Sequence, residues 1–391
     1  MNFRKKASAL ALCAVLLGTT VAPVSAATHE KLVGKDRYET AAMIADKMGD
    51  YETAILVNSD KSLSDGLSAS SLSGKENAPI LLAKQNKLPE ATAKRLEQVK
   101  KVYIIGGEKA IGKEVESKLA GKEIVRIEGK DRIDTSKRVA ELLGDYKKAF
   151  VVNGIKGEAD AMSVAAVAAR EKAPIILTNG KTISDVKKDA YHYVIGGPEI
   201  ISYEIDIYLD EHLDKVNGEA IFDTIGAENR YGTNDMILRK FYPRTSKLYF
   251  TEGTKLVDAL TVAPLAKNNG VVFVSEKSDK EFLKDRSTLV QVGGVKDSII
   301  KEIFKGETTE DKSSLRIEHD GVAIPVGEMI GPATFDAVAT DIDGTDISHK
   351  VQMVGVNPKV PGDYNGKLVV ELSNGKKLEK NIFVEVFATE E

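Results

Sequence analysis

The 391-residue sequence has one cysteine, Cys13, and it lies in an N-terminal stretch that reads as a removable leader. The exported chain is therefore expected to form no disulfide and to offer no thiolate as ligand or nucleophile. Beyond that stretch no apolar run is long enough to span a bilayer. The five histidines, His29, His192, His212, His319 and His349, form no HExxH, and there is no GxSxG elbow. No GxGxxG follows a strand-like run, which removes the dinucleotide fingerprint. Gly107-Glu108-Lys109-Ala110-Ile111-Gly112-Lys113 comes close to a P-loop, but Glu114 stands where Ser or Thr must reach magnesium. Asp341, Asp343 and Asp346 in DIDGTD resemble a calcium loop, yet the glycine comes too early for an EF-hand, and the stretch reads as a hairpin turn. No cofactor, no metal and no catalytic constellation is expected.

What the sequence does have begins with Arg4, Lys5 and Lys6, an apolar run from Ala7 to Leu17, and Val24-Ser25-Ala26, whose small residues suit signal peptidase. Residues 1–26 read as a secretory signal cleaved after Ala26. A lipoprotein signal using Cys13 is the rival, opposed by bulky Leu12 before it and by the apolar residues that follow. Cleavage removes three positive charges and no acidic ones, so the formal charge moves from −4 to −7. A mildly acidic exported chain is not expected to partner nucleic acid, nor a membrane once the signal is gone. The run Phe387-Ala388-Thr389-Glu390-Glu391 is no apolar tail or sorting signal, so retention on a cell is expected to be non-covalent.

The main feature is repetition. Gly34-Lys35-Asp36-Arg37-Tyr38-Glu39-Thr40 returns as Gly129-Lys130-Asp131-Arg132-Ile133-Asp134-Thr135 and, altered, as Gly226-Ala227-Glu228-Asn229-Arg230-Tyr231-Gly232-Thr233. The arginines are 95 and 98 positions apart, a period suited to a small α/β domain rather than a solenoid rung. Within the first unit Ala41, Ile44, Ala45 and Met48 mark one face of a helix, followed by strand-like AILVN, PILLA and VYII with helices between them. AFVVN, PIILT and YVIGG repeat that order, as do LYFT, VVFVS and LVQVGG. Alternating strands and helices predict parallel sheets covered on both faces. The units are placed at 30–120, 121–218 and 219–306, with a polar linker at 307–314. Residues 315–391 switch to period two with turns at Asp343-Gly344, Pro361-Gly362 and Asn374-Gly375, which predicts a small all-β sandwich. Its strand-like runs are Phe335–Ala339, Lys350–Val354, Lys367–Leu372 and Asn381–Phe387.

Each unit also repeats a loop aspartate, Asp65, Asp160 and Asp258, and a glycine pair, Gly106-Gly107, Gly196-Gly197 and Gly293-Gly294. All follow strands, so with the motif arginine they should share one edge of each unit, where open parallel sheets meet ligands. Two accounts of the arginine stand side by side. Arg37 can present a planar fork to phosphate or carboxylate. It can equally be a structural clamp, paired with Asp65 or with the neighbouring repeat.

Together GKDRYET, AILVN, SDGLSAS, APILLA and VYIIGG resemble the cell-wall-binding repeat type 2 family of clostridia and related Gram-positive bacteria, which includes anchoring repeats of surface-layer-associated proteins. The resemblance implies Rossmann-like modules packed as a pseudo-threefold triangle that bind an anionic, teichoic-acid-like wall polysaccharide without covalent attachment. It implies a secreted, cell-wall location, with other surface-layer proteins as further partners. Carried over by matching position, the polymer-binding residues are Arg37, Arg132, Arg230, Asp65, Asp160 and Asp258. The family also associates with anchoring the segments matching Ile80-Leu81-Leu82 and Ile175-Ile176-Leu177. The third copy departs from the pattern by one extra residue after Gly226, by Asn229 in the Asp position and by Asn269-Gly270 in place of Ala-Pro, so its sites should not be equivalent. Residues 315–388 are similar to bacterial Ig-like domains. A peptidoglycan-active, amidase-type enzyme and an adhesin acting through the β domain are the alternatives, and the repeats leave little chain for catalysis.

Overall fold

The computed structural model describes residues 27–60, 63, 65–284, 286–304, 312–342 and 344–388. The expected signal at 1–26, residues 307–311 of the linker, and Asp343 lie outside them. In chain order the first unit holds β1 (Thr28–Leu32), α1 (Arg37–Met48), β2 (Thr53–Asn58), α2 (Ala69–Glu76), β3 (Ile80–Ala83), α3 (Glu90–Leu96), β4 (Lys101–Ile105) and α4 (Lys113–Glu116). The second holds β5 (Glu123–Ile127), α5 (Arg132–Leu143), β6 (Lys148–Asn153), α6 (Glu158–Glu171), β7 (Ile175–Thr178), β8 (Tyr191–Ile195), α7 (Glu204–His212) and a short hairpin, β9 (Lys215–Val216) and β10 (Glu219–Ala220). The third holds β11 (Phe222–Ile225), α8 (Arg230–Phe241), β12 (Lys247–Glu252), α9 (Leu256–Val262), β13 (Val271–Val274), β14 (Thr288–Val292) and α10 (Asp297–Ile303).

Three parallel four-stranded sheets result, in the orders β3-β2-β4-β5, β7-β6-β8-β11 and β13-β12-β14-β1. The strand that opens each repeat therefore completes the sheet of the repeat before it. The N-terminal β1 closes the circle by pairing along the third sheet from Thr28 opposite Thr288 to Leu32 opposite Val292. Helices follow the same cyclic rule: α5 packs on α2, α8 on α6 and α1 on α9. One apolar core runs through all three units, with Ile55, Phe150 and Phe250 fully buried in it.

At the centre sits α6, whose sequence EADAMSVAAVAARE is buried from Ala159 to Ala169, as a helix enclosed on every side must be. Small residues let its neighbours approach closely. A Cβ on Gly74 of α2 would come within 1.9 Å of the Ala169 carbonyl oxygen, so only glycine fits where α2 crosses α6. Lys75 then donates to the Leu142 carbonyl at 2.7 Å, and Arg170 to the Phe241 carbonyl at 3.0 Å. Each satisfies the C-terminal end of the next repeat's arginine helix.

The motif itself is a helix start. Asp36 and Asp131 each accept from the backbone N–H three residues on, at 2.9 Å, while Glu39 and Asp134 accept from Lys35 N and Lys130 N at 2.9 Å. This reciprocal arrangement caps the first turn. Asn229 does the same work through bonds from Tyr231 N and Gly232 N.

The C-terminal unit is β-rich, as expected. β16 (Gly321–Pro325), β18 (Gln352–Val354), β19 (Gly362–Glu371) and β20 (Lys377–Phe387) form a mixed sheet ordered β16-β20-β19-β18, beside a two-stranded pair of β15 (Ser314–Arg316) and β17 (Val338–Thr340). The β16–β20 pair is parallel and the others antiparallel. The strand expected at 335–339 starts later, because Pro332–Phe335 forms a tight turn ended by Asp336 at φ +48°. In DIDGTD, Gly344 N bonds to Asp341 O and Thr340 bridges Asp346 across the turn. The Asp341 carboxylate accepts from Ser373.

Candidate functional site

The three arginines lie at the first position of α1, α5 and α8, directly after the strand that joins the preceding sheet. Each guanidinium donates from Nη1 to a backbone carbonyl just beyond the first inner strand of its own repeat: Arg37 to Ser59 at 2.5 Å, Arg132 to Gly154 at 2.7 Å and Arg230 to Gly253 at 3.0 Å. One bond fixes the direction of the side chain and uses only part of its donor capacity. Arg37 and Arg230 are exposed and Arg132 is half-buried.

The aspartate each arginine faces is not its own. Asp258 is influenced by Arg37 and Lys255, Asp160 by Arg230, and Asp65 by Arg132. The expected edge of each unit does hold its aspartate, its glycine turn and the carbonyl that its own arginine bonds, but the carboxylate the arginine faces comes from the preceding unit, because the arginine helix starts where its leading strand leaves the previous sheet. The clamp between Arg37 and Asp65 is replaced by the backbone bond to Ser59. Among the described residues no motif arginine comes within 4 Å of a loop aspartate, so space remains between the charges.

The aspartates are held in by the glycine turns. A Cβ on Gly106 would lie 2.8 Å from Asp65 Oδ2, on Gly196 3.3 Å from Asp160 Oδ2, and on Gly293 2.0 Å from Asp258 Oδ2. These first glycines of each pair have φ of +102°, +136° and +65°, a region glycine tolerates best. Asp160 and Asp258 are buried, and loss of water lifts both to a pKa of about 6, against the pull of the neighbouring cations. Burial also raises Asp65, against a hydrogen bond from Thr135 (3.4 Å) and the charge of Arg132.

That threonine belongs to the motif, although the sequence pattern by itself assigns it no role. Thr40, Thr135 and Thr233 are buried and accept from Gly34 N, Gly129 N and Ala227 N, each at 3.1 Å. Thr135 and Thr233 also bond to the aspartate of the preceding repeat. The shared six-residue span assigns Ala227 to the place of Gly34 and Gly129, so the extra residue of the third copy is accommodated before the motif and Arg230 keeps its geometry. The signal was available, since the threonine sits three residues after each arginine.

The seam between the third and first units opens as a cleft of about 490 Å³ lined by Lys35, Arg37, Thr40, Lys255, Asp258 and Gly293. Cations stand at its sides over a buried carboxylate. By contrast, Ile80, Leu81, Leu82, Ile175, Ile176 and Leu177 are buried strand residues of β3 and β7. Their side chains fill the core, which corrects the expectation that they meet the polymer directly. The near P-loop is a turn whose Ala110 and Ile111 N–H groups bond to Gly107 O, so they are not turned to a phosphate.

Three parallel α/β units thus close into one ring in which the arginine of each faces the loop aspartate of the preceding one, the plan of a modular repeat protein. The chain belongs to the cell wall binding domain 2 family, whose model matches residues 31–116, 126–206 and 224–303. It is 31% identical over 272 residues to the amidase enhancer of Bacillus subtilis and 32% identical over 248 residues to that organism's N-acetylmuramoyl-L-alanine amidase LytC. Those matches take in 67% and 61% of this chain but only 37% and 48% of the relatives' own lengths. Among solved structures, Cwp8 from Clostridium difficile superposes with a TM-score of 0.65 at 34% identity, covering 71% of this chain and 51% of that one. Cwp6 from the same organism also gives 0.65, at 23% identity, over 81% of this chain and 55% of its own. That second likeness concerns the fold. Among the described residues no helix is long and apolar enough to cross a membrane.

Proposed function

We propose that the exported chain anchors itself non-covalently to the Gram-positive cell wall by binding an anionic, teichoic-acid-like wall polymer at the seams between its repeats. The observation that carries this reading is the threefold recurrence of an arginine held by a backbone carbonyl and facing the loop aspartate of the preceding unit. With a net acidic chain, attraction must come from such local cations and not from bulk charge. The C-terminal β unit, likened above to Ig-like domains, is then displayed outward. Catalysis is not part of the reading, although an amidase stands among the relatives. Cosedimentation of the chain lacking residues 1–26 tests it, using intact walls and walls stripped of secondary polymer. Intact walls should retain the protein, stripped walls should not, and Arg37→Ala with Arg132→Ala should weaken retention in a salt-sensitive way. Equal retention by stripped walls overturns the proposal, and clearing of murein in a zymogram would reverse the assignment as a non-enzyme.

A further inference from the structure

The seams are built to one plan but differ at one position. Leu63, Glu158 and Leu256 each stand two residues before the loop aspartate of their unit, and all three line the same 490 Å³ cleft. They therefore converge where the three units meet. Two are leucines and one is a carboxylate. Glu158 Oε1 lies 3.5 Å from Arg132 Nη1, whereas among the described residues Arg37 and Arg230 have no carboxylate within 4 Å.

We propose that Glu158 is a built-in competitor, occupying at Arg132 the place of an acidic group of the ligand, so that the Arg132 seam is masked and the cleft at Arg37 is the leading site. This inference rests on the wall-polymer reading above. The chemistry suits displacement rather than permanent closure. The two side chains are 30% and 38% exposed, and at 3.5 Å the pair is a loose ion pair that solvent and salt weaken. Arg132 is meanwhile held by Gly154 O whether or not Glu158 stays. A carboxylate in the first turn of α6 also favours that helix end, but Asp160 occupies the same turn, so helix stability alone does not select Glu158 over the leucine of the other units.

The test measures retention on intact walls of the chain lacking residues 1–26, at low and high salt, with stripped walls as the control. Glu158→Gln keeps the shape and removes the charge, and Glu158→Leu copies the other two units. Both should tighten binding about two- to fivefold at low salt, the size of releasing a weak exposed pair, with the gain shrinking at high salt. Adding Arg132→Ala to either variant should abolish the gain. If the wild type binds intact walls but both variants bind no better, the competitor role is refuted while the wall reading stands. A gain that survives Arg132→Ala would mean that Glu158 acts by its charge on the Arg37 cleft, and would equally overturn the competitor role. A wild type that ignores intact walls sinks the parent reading first. Thermal melts that match the wild type would confirm that the variants report binding and not folding.

Discussion

Replacing Asp258 by asparagine removes a carboxylate that is 7% exposed and is lifted by burial from 3.8 to about 6. Each unit of such a rise corresponds to about 1.4 kcal/mol, so the full effect is about 3 kcal/mol. The sign follows from the direction of the rise. The folded state binds this proton more tightly than the unfolded chain, so the stabilisation is complete below pH 3.8 and is lost as pH rises through about 6. At neutral pH the ionised group is a liability that asparagine lacks. The stability of wild type relative to Asp258→Asn should therefore fall by about 2.5 kcal/mol between pH 4 and 7, or by about 3–5 °C in melting temperature for a cooperative unit larger than about 250 residues. Thermal melts of both proteins at constant ionic strength across that range give the difference directly. Taking the difference also cancels every other titrating group. Parallel pH curves for the two proteins would refute the argument, since they would mean that Arg37 and Lys255 compensate the buried charge fully.

His192 provides the opposite slope: it is fully buried, its Nδ1 bonds to Ala190 O, its Nε2 has no hydrogen-bond partner among the described residues, and burial pushes its pKa down to about 4. Stability should be lost as pH falls from 6.5 through about 4, by about 3 kcal/mol, and His192→Asn should move the acid limb of a pH-melting profile to lower pH. Gly293→Ala places a Cβ 2.0 Å from Asp258 Oδ2 at φ +65°, and should cost about 2–3 kcal/mol more than Gly49→Ala, where φ is +82° and nothing lies within 4 Å. Denaturant midpoints of the two variants compare strain plus clash with strain alone. Gly74→Ala should cost about 2–3 kcal/mol through the clash with Ala169, read by the same midpoints.

Much of the ring was legible because strand periodicity and the motif report local structure. AILVN, PILLA and VYII became strands within a residue or so, and the glycine pairs fell at the turns that need positive φ. What could not be read was which copy meets which. A repeat establishes that Arg37, Arg132 and Arg230 are equivalent, but Asp65 is the nearer aspartate in sequence and Asp258 the one in space. That choice is made by β1 pairing with β14, a contact between the two ends of the repeat region. The apolar segments misled for a related reason. Ile80-Leu81-Leu82 recurs because a parallel strand between helices must be apolar on both faces, and recurrence alone does not distinguish a core from a binding surface. The capping role of Asp36 was open to recognition, since an acidic N-cap followed three residues later by an acid marks a helix start, here with Glu39 accepting from Lys35 N just before the cap.

On the wall-binding reading, ring closure and binding are linked by the same atoms. No repeat owns a complete sheet, because its last strand is supplied by the next, and none owns a complete seam, because its arginine faces the aspartate of another. Binding residues placed on such shared boundaries are preorganised by folding of the whole ring and lost if any unit detaches, so the cost of ordering them is met before a ligand arrives. On the wall-binding reading this suits a repeating polymer. Seams around a common centre meet successive charged groups of one chain at high effective concentration, and modest sites combine into firm but reversible retention. Inequality among the seams, with Glu158 lying on Arg132, then sets the order of engagement: the open Arg37 cleft captures first, and the tethered polymer competes with Glu158 afterwards.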